Sequence, residues 1–172
     1  HSSQPRYNML FRQAEDSVLP ACLENGVGVI AHSPLAKGLL TGKYRPGHRF
    51  PADDERRRSD HPVFEPSKLE GADAYVGKLS SWAADHGRDI VQLAIAWTLA
   101  HPAVTSSIVG IRTPEQAHRN AAAGDWELSP RDLDEIEEIQ GDLRLHFYHG
   151  PDEDYHGHRD KGDPGPGDGA SQ

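Results

Sequence analysis

The sequence is short of several things, and each shortage removes a class of answer. A single cysteine, Cys22, rules out an internal disulfide. It lies in an apolar helical stretch, where a packed thiol is the expectation rather than a nucleophile, and one thiol in 172 residues fits a reducing, cytoplasmic compartment. Apolar residues make up only 35% of the chain, and no run approaches the ~18 residues of a membrane span. No secretory signal is visible, so no membrane partner is expected. Positive charge is scarce too. Eighteen Lys and Arg stand against 27 Asp and Glu, a net charge of −9, which argues against nucleic acid as the partner. No internal repeat is apparent. The chain opens "HSSQPRYN" without an initiating Met, and the expectation is that it is cut from something longer.

What is present reads as alternation. Ser2 to Gln4 have the character of the end of a strand. Glu15 to Asn25 read as a helix with Val18, Leu19, Cys22 and Leu23 on one face, stopped by Gly26. Val27 to Ala31 form a short strand. Gly42 to Pro66 are a long loop holding Arg56-Arg57-Arg58 among Asp53, Asp54, Glu55 and Asp60. A neutralised, solvated loop is the main reading of that run, and a lid over a phosphate-bearing ligand the lesser one.

Ser67 and Glu70 make a capping box for a helix carrying Leu69, Ala72, Val76, Leu79 and Ala83, ended by Gly87. Asp89 and Gln92 open a second helix, apolar nearly all round, which His101-Pro102 stops. Val104 to Val109 form another strand. Thr113-Pro114 and Ser129-Pro130 open the last two helices, the second burying Leu133, Ile136 and Ile139. Strands separated by helices imply parallel pairing with crossover helices, an α/β fold.

The C-terminal part differs in kind. Residues 150–172 carry six acids against two bases, and nine of those 23 residues are Gly or Pro. Such a segment buries too little surface to offset its ordering entropy. The division expected is a folded unit over 1–145 and a disordered tail over 146–172. His146, His149, His156 and His158 have spacings that suit a loose metal site, but a polar, His-rich tail is the preferred reading, with no metal assigned.

Two stretches point to a ligand. In "VGVIAHSPLAKGLLTGKY" an apolar run ends at His32 and opens at once into a Ser-Pro turn with glycines. This is the pattern of a strand delivering a loop to a ligand; an ordinary surface turn is the alternative. In "GIRTPEQAHRN", Thr113, Pro114 and Gln116 build a helix N-terminus, a ready anion site, with Arg112 just before it.

"QPRYNML", "VIAHSPLAKGLLTGKY" and "SSIVGIRTPEQAHRN", in that order, resemble the C-terminal part of an aldo-keto reductase, from about Ser3 to Leu143. The resemblance implies a (β/α)8 TIM barrel. This chain would supply its C-terminal part, about three parallel strands with crossover helices, incomplete as a barrel. It also implies NADP(H) as cofactor, a carbonyl substrate, and a ligand site at the C-terminal ends of the strands.

Carried over residue by residue, the resemblance gives Gln4 to the nicotinamide carboxamide. His32 takes the place where the family usually stacks an aromatic ring, most often Tyr. Ser33, Pro34, Leu35 and Gly38 fall beside the pyrophosphate, with Lys43 adding charge there. Gly110, Arg112, Gln116 and Asn120 fall at the 2′-phosphate and adenosine end. Arg119 departs from the family, which often has Glu there, and Glu115 would repel a phosphate if turned inward.

The family's catalytic Asp, Tyr, Lys and His come from the early strands and none maps here; Tyr7 and Tyr44 belong to other motifs. The expectation is a fragment, a truncated gene product or one component of a split barrel, inactive alone. An N-terminal half-barrel, or self-association through an exposed strand edge, would complete it. The alternative is a non-catalytic nucleotide- or protein-binding module derived from a truncated reductase.

Overall fold

A computed structural model describes residues 1–54, 56, 64 and 66–141, with only the backbone of 66–68. The expected tail, Arg57 and Arg58 lie outside the described residues. Three strands, β1 (Ser2–Ser3), β2 (Gly28–His32) and β3 (Val104–Ile108), form one parallel sheet in the order β1-β2-β3. Among the described residues, five α-helices accompany them: α1 (Val18–Glu24), α2 (Pro66–Asp85), α3 (Ile90–Leu99), α4 (Pro114–Ala121) and α5 (Pro130–Gln140). Gln13–Glu15 is a 3-10 turn, and Ala36–Thr41 is a pair of 3-10 turns joined across a kink at Lys37 and Gly38.

Alternation along β2 sorts its side chains. Val29 and Ala31 are fully buried in the core, while Gly28, Ile30 and His32 lie on the other face and are half-exposed. β3 follows the same division through a bulge. Val29 pairs with Val104, but Ile30 pairs with Ser106, so Thr105 is the extra residue. Its hydroxyl donates to the Val29 carbonyl at 3.0 Å. Ser106 and Ile108 then share the open face with Ile30 and His32, and Ile108 is 46% exposed.

α3 is buried along nearly its whole length, as its all-round apolar sequence requires, and Asp89 with Gln92 closes the capping box at its start. Ser129 and Asp132 do the same for α5. α2 begins at Pro66, so Ser67 lies inside the first turn rather than ahead of it.

The expected helix over Glu15 to Asn25 is corrected: Gln13–Glu15 form a 3-10 turn and α1 starts at Val18. The reason is tertiary. Glu15 is drawn to the Tyr7 hydroxyl (2.7 Å) and to Arg12 (2.8 Å), which itself reaches Gln140 Oε1 at 2.9 Å and Glu137 on α5. The buried face of α1 is also narrower than expected. Leu19 and Cys22 are inside, whereas Val18 and Leu23 are 37% and 53% exposed.

Candidate functional site

The strand β2 ends at His32, one residue beyond the expected Ala31. His32 is held by backbone bonds to Pro5 (3.0 Å) and Tyr7 (3.3 Å), and its Nδ1 lies 3.0 Å from Ser33 Oγ. Burial lowers its pKa, and the charge of Arg6 lowers it further, so the imidazole is neutral near pH 7.

Beyond His32 the backbone takes conformations that side chains seldom tolerate. Ser33, Ala36 and Lys37 have φ of 58°, 46° and 55°, and Gly38 has 95°. Left-handed residues other than glycine are costly and gather at ligand sites. What holds them is a distant side chain. Asn8, wholly buried, donates its side-chain amide to the Ser33 carbonyl at 2.8 Å. Its Oδ1 accepts the backbone N–H groups of Leu10 and Phe11, each at 3.0 Å. At Gly38 a Cβ would lie 3.1 Å from the Tyr44 ring and 3.3 Å from Lys43 Cε, so glycine is required for both space and φ.

Beside this loop is a cavity of about 540 Å³ lined by Lys37, Pro51, Asp53, Asp54, Arg56 and Arg112. The loop after β2 therefore faces the loop after β3. Arg56 bonds Asp54 through Nε (2.7 Å), through its backbone N–H (3.0 Å) and through Nη2, and its Nη1 donates to the Tyr44 hydroxyl. Tyr44 in turn packs with His48, Phe50 and Phe64. The Arg56 hydrogen bonds are the main cause holding the Asp54 carboxyl at a pKa of about 2, with a further contribution from the charge of Arg112.

α4 supplies the other wall. Thr113 caps it by accepting the Gln116 N–H at 3.3 Å, and Pro114 takes the first position. Gln116 Oε1 accepts the Arg112 N–H at 2.8 Å, which fixes the backbone of Arg112 while leaving its side chain at the cavity. Glu115 bends back: bonds from its own N–H and the Thr113 hydroxyl lower its pKa. Asn120 is buried, and its Oδ1 accepts no hydrogen bond. Arg119 lies 3.8 Å from Asp89, the N-cap of α3.

Of the residues singled out in the sequence, Arg112 lines the cavity and His32 and Ser33 mark the strand end. Pro34 is buried beneath the loop and Leu35 packs on the core. Gln4 is exposed just past β1, and Gly110 is exposed just past β3. Lys43 does not line the cavity; its Nζ lies 4.7 Å from the Tyr44 ring centre. Lys37 and Asn8 have no role in the sequence reading, and Asp54 and Arg56 stand there only within the charged run read as a solvated loop or, less favoured, a lid over a phosphate-bearing ligand. Lys37 and Arg56 had charge as a signal, but Asn8 had none, because its partner is 25 residues away.

A parallel sheet backed by helices, with charged loops gathered beyond the carboxyl ends of two strands, is the arrangement of a barrel enzyme's ligand end. The profile of the Aldo/keto reductase family matches residues 1–140, and the chain belongs to that family. It is 31% identical to the aldo-keto reductase YhdN of Bacillus subtilis over 140 residues, 81% of this chain and 42% of that protein. It is 35% identical to the L-glyceraldehyde 3-phosphate reductase of Escherichia coli K12 over 150 residues, 84% of this chain and 43% of that one. The solved glycerol dehydrogenase AKR11B4 of Gluconobacter oxydans superposes with a TM-score of 0.76 at 26% identity, covering 86% of this chain and 44% of its own. The chain thus spans less than half the length of these relatives.

Proposed function

We propose that this chain is the NADP(H)-binding part of an aldo-keto reductase barrel whose reaction is hydride transfer between NADPH and an aldehyde or ketone. The observation that carries the reading is the cavity in which Lys37 and Arg56 face Arg112 at the carboxyl ends of parallel strands. These three cations, beside Asp53 and Asp54, suit a ligand with several phosphates.

On this reading, residues are assigned along the cofactor from its adenosine to its nicotinamide. Arg112 and the N-terminus of α4 offer a full and a partial positive charge to the 2′-phosphate. The orphaned Oδ1 of Asn120 is a buried acceptor suited to the amino group of adenine. Ser33 and Gly38 flank the pyrophosphate, Pro34 and Leu35 shape the same loop from its buried side, Lys43 adds charge from behind Tyr44, and Gln4 and His32 serve the nicotinamide. When bound, the cofactor supplies the hydride; these side chains bind and orient it.

No tyrosine near the loops is assigned proton donation. Tyr7 is bonded to Glu15 and Tyr44 to Arg56. The three strands make an incomplete barrel, and a further strand set, from an N-terminal half-barrel or from self-association along the open edge, supplies the remaining walls and the carbonyl pocket. Fluorescence titration of the chain with NADPH tests the reading: saturable binding supports it, and no binding by a folded chain refutes it.

A further inference from the structure

The cavity contains its own anion. Asp54 presents both carboxylate oxygens to the Arg56 guanidinium, Oδ1 to Nε at 2.7 Å and Oδ2 to Nη2, the two-pronged geometry that a phosphate also adopts. Both side chains are largely covered, at 14% and 19% exposure, so the pair is screened less than a surface ion pair. Arg56 is held in place independently of Asp54. Its Nη1 donates to Tyr44, and its guanidinium carbon lies 5.2 Å and 5.1 Å from the Tyr44 and Phe50 ring centres. The cation is therefore held on an aromatic platform as well as by Asp54. Arg112 lines the same space.

We propose that Asp54 is a built-in competitor for phosphate: its carboxylate occupies Arg56 within the cavity, and an entering phosphate takes that cation from it. The inference rests on reading the cavity as a phosphate site and deepens it. Among the described residues of the lining, Lys37, Arg56 and Arg112 stand with Asp53 and Asp54. A phosphate carries nearly two negative charges and displaces the carboxylate; a ligand without one leaves the Asp54–Arg56 pair intact. When the phosphate departs, Asp54 re-forms its pair, so the bound state is weakened and release is quickened. Asp54 thus tunes exchange of the phosphate-bearing ligand and leaves its dephosphorylated analogue unaffected.

The test is calorimetric titration of inorganic pyrophosphate and of 2′,5′-ADP into the 172-residue chain and into Asp54→Asn, Asp53→Asn, Arg56→Gln and Asp54→Asn/Arg56→Gln variants. Asp53→Asn removes the same charge from the lining without touching the Arg56 bonds. The expected result is about tenfold tighter binding of both anions by Asp54→Asn, threefold or less by Asp53→Asn, and no gain from Asp54→Asn in the Arg56→Gln background. Unchanged or weaker binding by Asp54→Asn would overturn the proposal, since Asp54 would then only position Arg56. Equal gains from the two Asp variants would overturn it as well, because net charge alone would account for them. A tenfold gain for pyrophosphate, with 2′,5′-ADP bound no better than pyrophosphate, upholds the competitor and refutes the adenosine reading of the cavity.

Discussion

Asn8 donates its side-chain amide to the carbonyl oxygen of Ser33 at 2.8 Å, joining the segment after β1 to the first residue of the loop after β2. The same side chain accepts two N–H groups of its own turn. One buried amide thus fixes two adjacent loops at the ligand end of the sheet. Asn8→Ala leaves the Ser33 carbonyl and the Leu10 N–H without this partner, while the Phe11 N–H keeps its bond to the Asn8 main-chain carbonyl at 3.1 Å, and the cost of two unpaired groups predicts a loss of about 2–3 kcal/mol. Urea unfolding measures it. A loss under half a kcal/mol, roughly the size of a neutral surface change, would show that Asn8 is not the clamp.

Gly38→Ala tests the loop itself. A left-handed residue costs about 1–2 kcal/mol when a Cβ is present. Here that Cβ would also press on Tyr44, which Arg56 and the neighbouring rings keep from moving aside. Stability should fall by at least that amount, and nucleotide affinity with it. Alanine accommodated without loss would mean that the loop readily adopts another course.

Acid should loosen the last helix. Asp132 has its pKa lowered by hydrogen bonds from the Ser129 hydroxyl and backbone N–H at the start of α5. A carboxyl depressed in the folded state stabilises at pH above its ordinary value of about 3.9, and that contribution is lost as pH falls through the lowered one. The fall in thermal midpoint below about pH 4 should be shallower in Asp132→Asn than in the parent. Parallel curves for the two would remove Asp132 from the account.

Legibility divides along the range of the interaction. Thr113-Pro114, Asp89-Gln92 and Ser129-Pro130 were readable because a cap is made by residues three apart, and all three helix starts stand where the sequence put them. The parallel sheet followed from alternation. What failed was set by distant partners. Glu15 left the helix because Tyr7 and Arg12 hold it, and Leu23 is exposed although its spacing matched Leu19. At the site, Arg112 was legible from its place before a capped helix. Arg56 was hidden in a charged run, since only the fold brings Tyr44 and Phe50 beneath it.

The chain alone should not reduce carbonyls. The hydroxyl of Tyr7 is buried against Glu15, and burial raises its pKa well beyond the usual phenol range, so it is not poised to give a proton to substrate. NADPH consumption by the purified chain with a panel of aldehydes and ketones should match that of buffer. Turnover that co-purifies with the chain and is lost on Tyr7→Phe would contradict this.

Fluorescence titration with NADPH and NADH, parent against Arg112→Ala, asks whether Arg112 binds the 2′-phosphate of the cofactor, as proposed. A charge-assisted contact contributes about 1.5–3 kcal/mol. The variant should bind NADPH about tenfold to a hundredfold more weakly, with NADH nearly unchanged. Equal weakening of both cofactors would contradict it, because Arg112 would then only stack on the adenine.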